Sequence, residues 1–443
     1  MGRLFGTDGV RGVAGRDLTT ELAHGIGRAL VATVGSSRPR VAVGRDTRAS
    51  GEMLEAALAA GICSAGGDVL LLGVVPTPAV AFLTVDLGAD AGVVISASHN
   101  PPQDNGVKLF SSEGMKLPDM VEDEIERRLR EGDGPRPEGL DVGRVVLEQE
   151  DGADRYLAHL GASVEGTLGG MQVVVDGANG AAYRLAPMLL RRLGADVFAI
   201  GDEPDGTNIN VGCGATHPQA LAEAVRRFGA DAGVAHDGDA DRAILCDADG
   251  AILDGDHVLA ACALAMRDRG TLAEDVVVTT VMANLGFRRA MEEARITVVE
   301  THVGDRYVLE EMRRTGATLG GEQSGHVIFL DAATTGDGLL TAARFLALAR
   351  SKGVSVAELA SVVRKLPQVL QAIEVADREG LETSEEVREA VAAAEEALGD
   401  RGRVLVRASG TEPVVRVMVE ADEEGQARRH VESIAASVRR ALG

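Results

Sequence analysis

Aromatic residues are scarce in this chain. They make up 2% of its 443 residues, and tryptophan is absent. Proteins that bind single-stranded nucleic acids stack bases on aromatic rings, so this scarcity argues against that class. Basic residues are also in deficit: 45 Lys and Arg face 68 Asp and Glu, for a formal net charge of -23. Such a charge opposes binding to phosphate backbones and anionic membranes, so we expect neither nucleic acid nor membrane as a partner.

Disulfide motifs and long apolar runs are lacking as well. The four cysteines form no CxxC pair and no regular framework, which is typical of reduced thiols in a cytoplasmic protein. The first residues lack the apolar run of a signal peptide. The most apolar stretch, residues 69–83, is interrupted by one glycine and two prolines, so no membrane span is expected. We predict a cytoplasmic globular protein, with three or four domains for this length.

A short repeat is the most informative feature that is present. The sequence Gly-Ala-Asp-Ala-Gly-Val occurs at residues 88–93 and again at 229–234. Each copy is apolar enough for a strand and continues into a polar loop, the first with Ser98 and the second with three aspartates. A weaker third copy at 316–320 leads into another polar loop. A repeated strand with different loops predicts one site assembled between sister domains.

Strand and helix patterns alternate through most of the chain. Short β-rich runs flank helical periodicity near residues 40–72, 172–200 and 276–299, where the third helix is expected over about 284–294. This order is typical of βαβ units with helices covering a largely parallel sheet. Beyond about residue 367, two strands joined by a loop are accompanied by two helices.

The predicted fold class is therefore α/β. It comprises three related α/β domains with mixed, largely parallel sheets and a smaller C-terminal α+β domain around a central cleft. The predicted domain boundaries are 1–150, 151–252, 253–366 and 367–443.

Asp237, Asp239 and Asp241 alternate in a glycine-containing loop, so their carboxylates can converge on one hard cation. Compact oxygen donors suit Mg²⁺. An EF-hand needs Gly at loop position six and Glu at position twelve, where this loop has Arg242 and Ala248, so that alternative fails. A solvated acidic turn is the plainer alternative.

Ser98 follows the first repeated strand and is a candidate nucleophile, although serine in such a sequence often only caps a turn. A Ser-His-Asp triad is disfavoured because His99, adjacent in sequence, usually points away from its neighbour. Lys108 is expected to neutralise charge or assist proton transfer, unless it is an ordinary exposed lysine. Arg11 lies among turn glycines and either holds a phosphate or shapes the chain entry.

Two further loops carry hydrogen-bonding groups. Glu322, Ser324 and His326 lie in a Gly-rich loop and could bind sugar hydroxyls. A second loop offers a guanidinium, hydroxyls and flexible backbone for an anion through Arg407, Ser409, Gly410 and Thr411. A simple hairpin turn is the alternative for the second loop. The turn over residues 44–48 is expected to be structural and ion-paired.

In order along the whole chain, these loops resemble those of the α-D-phosphohexomutase superfamily. The resemblance rests on residues 5–12, 96–101, 237–242, 322–326, 334–338 and 407–413. It implies that Ser98 is phosphorylated and that Asp237, Asp239 and Asp241 hold Mg²⁺ together with an oxygen at Ser98. It also implies catalytic roles near the serine for Lys108, His99 and Arg11. Substrate binding is implied for Arg242, Glu322, Ser324, His326, Arg407, Ser409, Gly410 and Thr411.

The resemblance further implies isomerisation of a hexose phosphate. The segments 301–307 and 416–420 look most like the branch that converts glucosamine 6-phosphate to glucosamine 1-phosphate for UDP-N-acetylglucosamine synthesis. The alternative within the superfamily is a mannose or glucose phosphate substrate. Phospho-Ser98 would donate its phosphoryl group to the sugar and form a sugar 1,6-bisphosphate, which also serves as an activator of the enzyme. This intermediate would turn around within the site while the last domain moves. An activating kinase is a second expected source of the serine phosphate, and a homodimer is our expectation for the oligomeric state.

One residue departs from the family pattern, because Ala240 stands where glycine is usual. We expect a methyl group to be tolerated there unless the backbone needs positive φ.

Two other functional classes stay open at this point. A phosphatase of the haloacid dehalogenase type would use Asp237 as nucleophile, although the residues after Asp239 do not fit that motif. A non-catalytic sugar-phosphate sensor is the other.

Overall fold

The computed structural model describes residues 3–6, 8–132, 134–409 and 413–443. These residues form two compact units. The larger unit comprises Met1–Val281 and Ile296–Val362, and the smaller comprises Met282–Arg295 and Val363–Gly443. The larger unit contains three sheets, and the smaller unit contains one sheet with its own hydrophobic core.

The larger unit begins with a six-stranded sheet whose order is β1-β5-β4-β2-β3-β6. Its strands are β1 (Val10–Val13), β2 (Arg40–Arg45), β3 (Asp68–Val74), β4 (Ala91–Ile95), β5 (Asp104–Ser111) and β6 (Val145–Leu147). Its helices are α1 (Thr20–Val34), α2 (Gly51–Ser64), α3 (Thr77–Asp86), α4 (Asp119–Glu131) and α5 (Gln149–Ala162). Helix α1 begins where the Thr19 side chain accepts a hydrogen bond from the Leu22 N–H, and it ends at Gly35, whose φ of 80° suits glycine.

The second sheet has five strands in the order β11-β10-β9-β7-β8. They are β7 (Gln172–Asp176), β8 (Asp196–Ile200), β9 (Ala232–His236), β10 (Ala243–Asp247) and β11 (Ile252–Leu253). Helices α6 (Leu185–Arg192) and α7 (Gln219–Phe228) accompany this sheet. Strands β9 and β10 are buried along their whole length, as expected for strands covered on both faces.

The third sheet has four strands in the order β13-β12-β14-β15. They are β12 (Val276–Thr280), β13 (Thr297–Thr301), β14 (Leu319–Gly321) and β15 (Val327–Phe329). The helices of this region are α8 (Gly255–Asp268), α9 (Leu285–Glu293), α10 (Asp305–Thr315), α11 (Gly338–Lys352) and α12 (Val356–Ala360). Helix α9 belongs to the smaller unit, as described below.

The three sheets share one local design around the repeated strand. In each sheet that strand (β4, β9 or β14) pairs in parallel with one neighbour (β2, β7 or β12). It also pairs antiparallel with the strand that follows it (β5, β10 or β15). The three reactive loops are therefore equivalent connections between the repeated strand and the next strand. The prediction of related α/β domains with mixed, largely parallel sheets is confirmed.

The smaller unit is the predicted C-terminal α+β domain with one addition. Its strands β16 (Gln368–Glu374), β17 (Arg403–Ala408) and β18 (Val414–Glu420) form an antiparallel sheet in the order β16-β18-β17. Helices α13 (Glu385–Leu398) and α14 (Glu424–Leu442) complete the C-terminal segment.

The addition is α9, which the sequence placed on the third α/β sheet. The Asn284 side chain exchanges two hydrogen bonds with the Leu366 backbone, and the Leu285 N–H donates to Glu420 Oε2 across 2.8 Å. The first turn of α9 is thereby fixed to the smaller unit.

No helix in the described part of the chain combines the length and apolarity needed to cross a bilayer. All four cysteines are free of disulfide bonds. Burial raises the pKa of the Cys262 thiol to about 12, so that thiol stays protonated at neutral pH.

Candidate active site

Ser98 and Asp237 come together although 139 residues separate them in sequence. The Ser98 Oγ donates a hydrogen bond to Asp237 Oδ2 across 2.6 Å, and both residues are buried. They occupy equivalent loops after β4 and β9. Because the two loops follow equivalent strands, the Ser98 hydroxyl after β4 lies next to the carboxylates that follow β9.

The three aspartates of the second loop form one compact group. Oxygens of Asp237, Asp239 and Asp241 lie within 4.8 Å of one another, and all three residues are buried. Within the described chain, the Oδ1 atoms of Asp239 and Asp241 are buried without a hydrogen-bond partner. Buried, unpartnered carboxylate oxygens at this spacing fit a hard divalent cation such as Mg²⁺. The residues present therefore suit the metal that the sequence predicted.

The Lys108 ammonium lies against the acidic group. Its Nζ is 2.7 Å from Asp239 Oδ2 and 3.6 Å from Asp241 Oδ2. Burial would lower the pKa of Lys108, but these two carboxylates raise it above its usual value. Lys108 is therefore a fixed positive charge beside the acidic group and a poor proton acceptor.

The pKa values of the carboxyl groups diverge within the cluster. Burial would raise the pKa of Asp239, but Lys108 and the Thr77 hydroxyl, which donates across 2.6 Å, lower it far below its usual range. Burial and repulsion from Asp241 and Asp239 raise the pKa of Asp237 well above its usual value. The crowded carboxylates therefore resist full ionisation, and a bound cation would relieve the repulsion that raises the pKa of Asp237.

Two arginines and a histidine lie around the serine. Arg11 donates to Asp8 across 2.8 Å, and the Arg242 Nε is 3.6 Å from Asp241 Oδ1. The partly exposed His99 ring places Nδ1 at 3.4 Å from Ser98 Oγ. Partial burial and the guanidinium groups of Arg242 and Arg11 lower the pKa of His99. The imidazole is therefore neutral near pH 7 and able to accept a proton.

The sugar-loop residues lie at the equivalent position of the third sheet. Glu322 is buried, its Oε1 accepts a hydrogen bond from the Gly304 N–H, and burial raises its pKa. Ser324 is exposed. His326 is 2% exposed, and neither of its ring nitrogens has a hydrogen-bond partner among the residues described. This loop meets the metal loop, because the Ala243 N–H donates to the Gly325 carbonyl.

The predicted anion-binding residues belong to the smaller unit. Gly410 and Thr411 lie outside the described residues, whereas Arg407 and Ser409 lie at and just after the end of β17. Arg407 pairs directly with Arg416 across β17 and β18, so the two side chains share one face of the sheet. Partial burial and the Arg416 charge lower the pKa of Arg407. Adjacent guanidinium groups of this kind favour an anion.

The structure answers the question that the sequence left about Ala240. Its φ is 57°, so the residue that replaces glycine in this loop has the left-handed conformation. The backbone at this residue therefore does need positive φ, which is the case in which we expected the alanine methyl group to be strained. The loop accepts it because the Ala240 N–H bonds to the Asp237 carbonyl and the Gly338 N–H bonds to the Ala240 carbonyl.

Sequence reasoning missed several residues that contact the site. The Thr77 hydroxyl bonds to Asp239, and the Asn210 side chain bonds to the Ser98 carbonyl. Neither residue stood out in the sequence. The partly buried ammonium group of Lys116 joins Asp8 to Asp305. Asp46 and Arg48 form the ion-paired turn that was expected, but their contacts reach the serine loop. The only sequence signal was the cluster of charges after β2.

Comparisons with known proteins match the chain to one family along nearly its whole length. Four segments match models of phosphoglucomutase/phosphomannomutase: α/β/α domain I over residues 2–135, domain II over 154–250, domain III over 254–366 and the C-terminal domain over 370–437. These ranges include all the loops described above.

Individual relatives agree with these matches. The chain is 56% identical to the phosphoglucosamine mutase of Thermobifida fusca, over 99% of this chain and 98% of the relative. It is 55% identical to the phosphoglucosamine mutase of Frankia alni, over 100% and 99%. Among solved structures, a phosphoglucomutase/phosphomannomutase family protein of Burkholderia thailandensis is similar with a TM-score of 0.84 and 27% identity, over 99% of this chain and 97% of that one.

Proposed function

The chain belongs to the phosphoglucomutase/phosphomannomutase family, and we propose that it is the isomerase that interconverts glucosamine 6-phosphate and glucosamine 1-phosphate. The relatives at 55–56% identity over the full chain are phosphoglucosamine mutases, which favours glucosamine over glucose or mannose. The single structural observation that supports the chemistry is the 2.6 Å hydrogen bond from the Ser98 hydroxyl into the acidic group. The product would feed UDP-N-acetylglucosamine synthesis.

We assign the covalent step to Ser98. In the active protein Ser98 carries a phosphoryl group, and the bond between its Oγ and phosphorus breaks as the sugar O1 forms a new bond to phosphorus. The O1 hydroxyl loses its proton, which we assign to His99 because its lowered pKa leaves the imidazole neutral. The resulting 1,6-bisphosphate turns around, and the bond between its O6 and phosphorus breaks as Ser98 Oγ takes back the phosphoryl group. The O6 oxygen takes up the proton that His99 holds. Glucosamine 1-phosphate is released, and the serine is again phosphorylated.

The other residues position charge in this scheme. Lys108 stays protonated and balances the charge that gathers at Ser98. Asp237, Asp239 and Asp241 would hold Mg²⁺, which when bound offsets the phosphoserine charge of about -1.5 to -2. Arg11 and Arg242 add positive charge next to the serine. These cations would form a basic site within a protein of net charge -23.

Substrate binding is divided between two sets of residues in the proposal. We propose that Glu322, Ser324 and His326 bind the sugar hydroxyls. The phosphate away from the reaction is assigned to Arg407 and Ser409, with Gly410 and Thr411, and the paired guanidinium groups of Arg407 and Arg416 support this assignment. The domain division proposed for these roles stays 1–150, 151–252, 253–366 and 367–443. The first phosphate on Ser98 would come from a sugar 1,6-bisphosphate or from a kinase.

We also propose that the protein acts in the cytoplasm. Its four cysteines are unpaired, and unpaired thiols persist in reducing compartments.

The test combines a mutase assay with intact-mass measurement. Purified wild-type protein should carry acid-stable phosphate on Ser98 and convert glucosamine 6-phosphate to the 1-phosphate. Ser98→Ala should lose both properties. Ser64→Ala is the control, because Ser64 lies in the same sheet region and, among the residues described, its hydroxyl bonds to Arg28 and the Gly61 carbonyl and not to the acidic group. Full activity in Ser98→Ala, or a phosphate on Asp237 that acid removes, would contradict the proposal. Faster turnover of mannose phosphate than of glucosamine phosphate would change the substrate.

A further inference from the structure

A fully buried guanidinium lies behind the loop that carries Ser98, and none of the proposed steps uses it. Arg48 is 1% exposed and ends the charged turn that follows β2. Its Nε donates to Asp46 Oδ2 across 2.9 Å, in an ion pair with both side chains completely buried. A charge in such a place is tolerated only when its hydrogen bonds are satisfied. The remaining partners of Arg48 therefore indicate what it does.

Those partners are all backbone carbonyls of the serine loop. The Arg48 Nη1 donates to the carbonyls of Pro101 and Asp104, at 2.5 and 2.9 Å. The Nη2 donates to the carbonyls of Ser98 and Asn100, each at 2.9 Å. A guanidinium is planar, and its donors have fixed directions. One side chain therefore fixes four carbonyls of residues 98–104 relative to β2.

Asp46 extends the same contact to the other side of Ser98. Its Oδ2 accepts a hydrogen bond from Ser96 Oγ across 2.6 Å. The Ser96 Oγ in turn accepts the backbone N–H of Ser98 across 2.9 Å. The peptide groups on both sides of Ser98 are thus hydrogen-bonded to the Asp46–Arg48 pair, one directly and one through Ser96.

The domain that supplies the aspartates holds the loop as well. Asn210 Nδ2 donates to the carbonyls of Ser98 and Asn100, at 2.8 and 3.2 Å. These are the two carbonyls that Arg48 Nη2 binds. The serine loop is therefore fixed from its own sheet and from the neighbouring one.

This fixation acts on a backbone conformation that serine rarely adopts. Ser98 has φ of 51°, in the left-handed region. Non-glycine residues stay there only when surrounding contacts enforce it. In this conformation the Ser98 Oγ reaches Asp237 Oδ2. The strain thus coincides with the position at which the proposed phosphoryl transfer occurs.

We propose that Arg48, with Asp46, is a positioning residue for phosphoryl transfer. It holds Ser98 in the left-handed conformation that directs its Oγ into the acidic group. This inference rests on the proposed function, because it gives a role in that reaction to a residue without contact to the reacting atoms.

The substitution Arg48→Lys separates the two effects of the arginine, which are its ion pair with Asp46 and its hydrogen bonds to four carbonyl groups. A lysine ammonium could keep the ion pair with Asp46, but a point charge cannot reproduce the fork that binds four carbonyls. Released from those contacts, Ser98 would leave the left-handed region, and its Oγ would lose alignment. The groups proposed to bind the substrate, such as Glu322 and Ser324, would be unchanged. Misalignment of this kind lowers kcat and leaves KM nearly unchanged.

The experiment compares Arg48→Lys with Arg38→Lys. Arg38 is an exposed control for the change from guanidinium to ammonium, because it forms a two-bond ion pair with Asp68 in the same sheet region and also donates to a backbone carbonyl. Both variants are assayed with glucosamine 6-phosphate and the bisphosphate activator. The rate is divided by the amount of folded protein that carries phosphate on Ser98, as measured by intact mass. A purely structural role would change the amount of folded protein but not this normalised rate.

We expect the normalised kcat of Arg48→Lys to fall about 100-fold with KM within about threefold of wild type. Arg38→Lys should match wild type. A normalised kcat within about threefold of wild type for Arg48→Lys would overturn the inference and leave the proposed function intact. A wild-type protein without isomerase activity would overturn the proposed function and this inference with it.

If Arg48→Lys does not fold, Ser96→Ala decides the matter. That change removes only the hydroxyl that links Asp46 to the Ser98 N–H. It should lower the normalised kcat about tenfold with little effect on KM. An unchanged normalised kcat would overturn the inference.

Discussion

The Lys116 Nζ lies 2.5 Å from Asp305 Oδ2, in a contact between residues 189 positions apart. The same ammonium lies 2.6 Å from Asp8 Oδ1, and Asp8 in turn pairs with Arg11. Asp305 Oδ2 is also 3.6 Å from His326 Nε2. A line of charged groups therefore connects the serine side of the larger unit with the sugar loop.

The first prediction concerns this ammonium. Lys116→Met should lower the free energy of unfolding by about 2 kcal/mol, because its removal leaves two partly buried carboxylates without a counter-charge. Urea unfolding measures the change. Lys352→Met alters an exposed lysine of α11 and should stay within about 0.5 kcal/mol. Combining Lys116→Met with Asp305→Asn should restore part of the loss. No recovery in the double variant would show that the two charges are not coupled.

The second prediction concerns the metal. Asp239→Asn removes a charge from the acidic group and should weaken Mg²⁺ binding by at least about 100-fold, more than is usual for a residue outside the ligand set. Isothermal titration with Mg²⁺ measures this without reference to activity. Asp247→Asn is the control, since that buried carboxylate accepts backbone hydrogen bonds in a turn and has no place in the acidic group. Equal Mg²⁺ affinity in wild type and Asp239→Asn would contradict the assignment.

The third prediction concerns the left-handed residue of the metal loop. Ala240→Gly removes a buried methyl group but also relieves a conformation that costs a non-glycine residue about 1–2 kcal/mol. Ala243→Gly removes an equally buried methyl group from regular strand β10, where no such relief is available. Ala240→Gly should therefore be the more stable variant by at least about 1 kcal/mol. The reverse order in thermal or urea unfolding would show that the methyl group is not strained.

The fourth prediction concerns pH and the buried Asp337. Burial raises the pKa of this carboxyl to about 6, although it accepts hydrogen bonds from the Leu340 N–H and the Tyr156 hydroxyl. The folded protein therefore binds this proton more tightly than the unfolded chain. Its contribution to stability is largest below about pH 4 and declines as the pH rises to about 6.

Asp337→Asn removes this titration and keeps a residue that caps α11 well. Stability relative to wild type should shift in favour of the variant by up to about 3 kcal/mol between pH 4 and pH 7. Urea unfolding of both proteins at several pH values gives the difference directly. A difference that does not depend on pH would rule out titration of Asp337 in this range.

Much of the fold and the centre of the site could be predicted from the sequence. The repeated strand identified three equivalent loops, because buried parallel strands carry a continuous apolar pattern and the reactive residues follow immediately. Ser98, Asp237, Asp239 and Asp241 meet as expected from that repeat.

The residues that escaped prediction act through backbone atoms or across long separations. Arg48 binds carbonyl groups, and a carbonyl acceptor leaves no mark on residue type. Lys116 and Asp305 are ordinary charged residues until the chain folds. The positive φ of Ala240 entered the sequence analysis only as a condition, through the glycine that is usual in the family, because alanine itself gives no hint of a left-handed conformation.

The position of α9 affects how this protein can be divided into fragments. The sheet of the smaller unit is bonded to helix α9, which lies in the segment Met282–Arg295, long before the chain reaches β16. A fragment that starts at residue 367 would lack this helix and leave Glu420 without its Leu285 partner. Expression of residues 367–443 alone should therefore give an incomplete and aggregation-prone product, whereas adding the 282–295 segment through a short linker should make that product soluble.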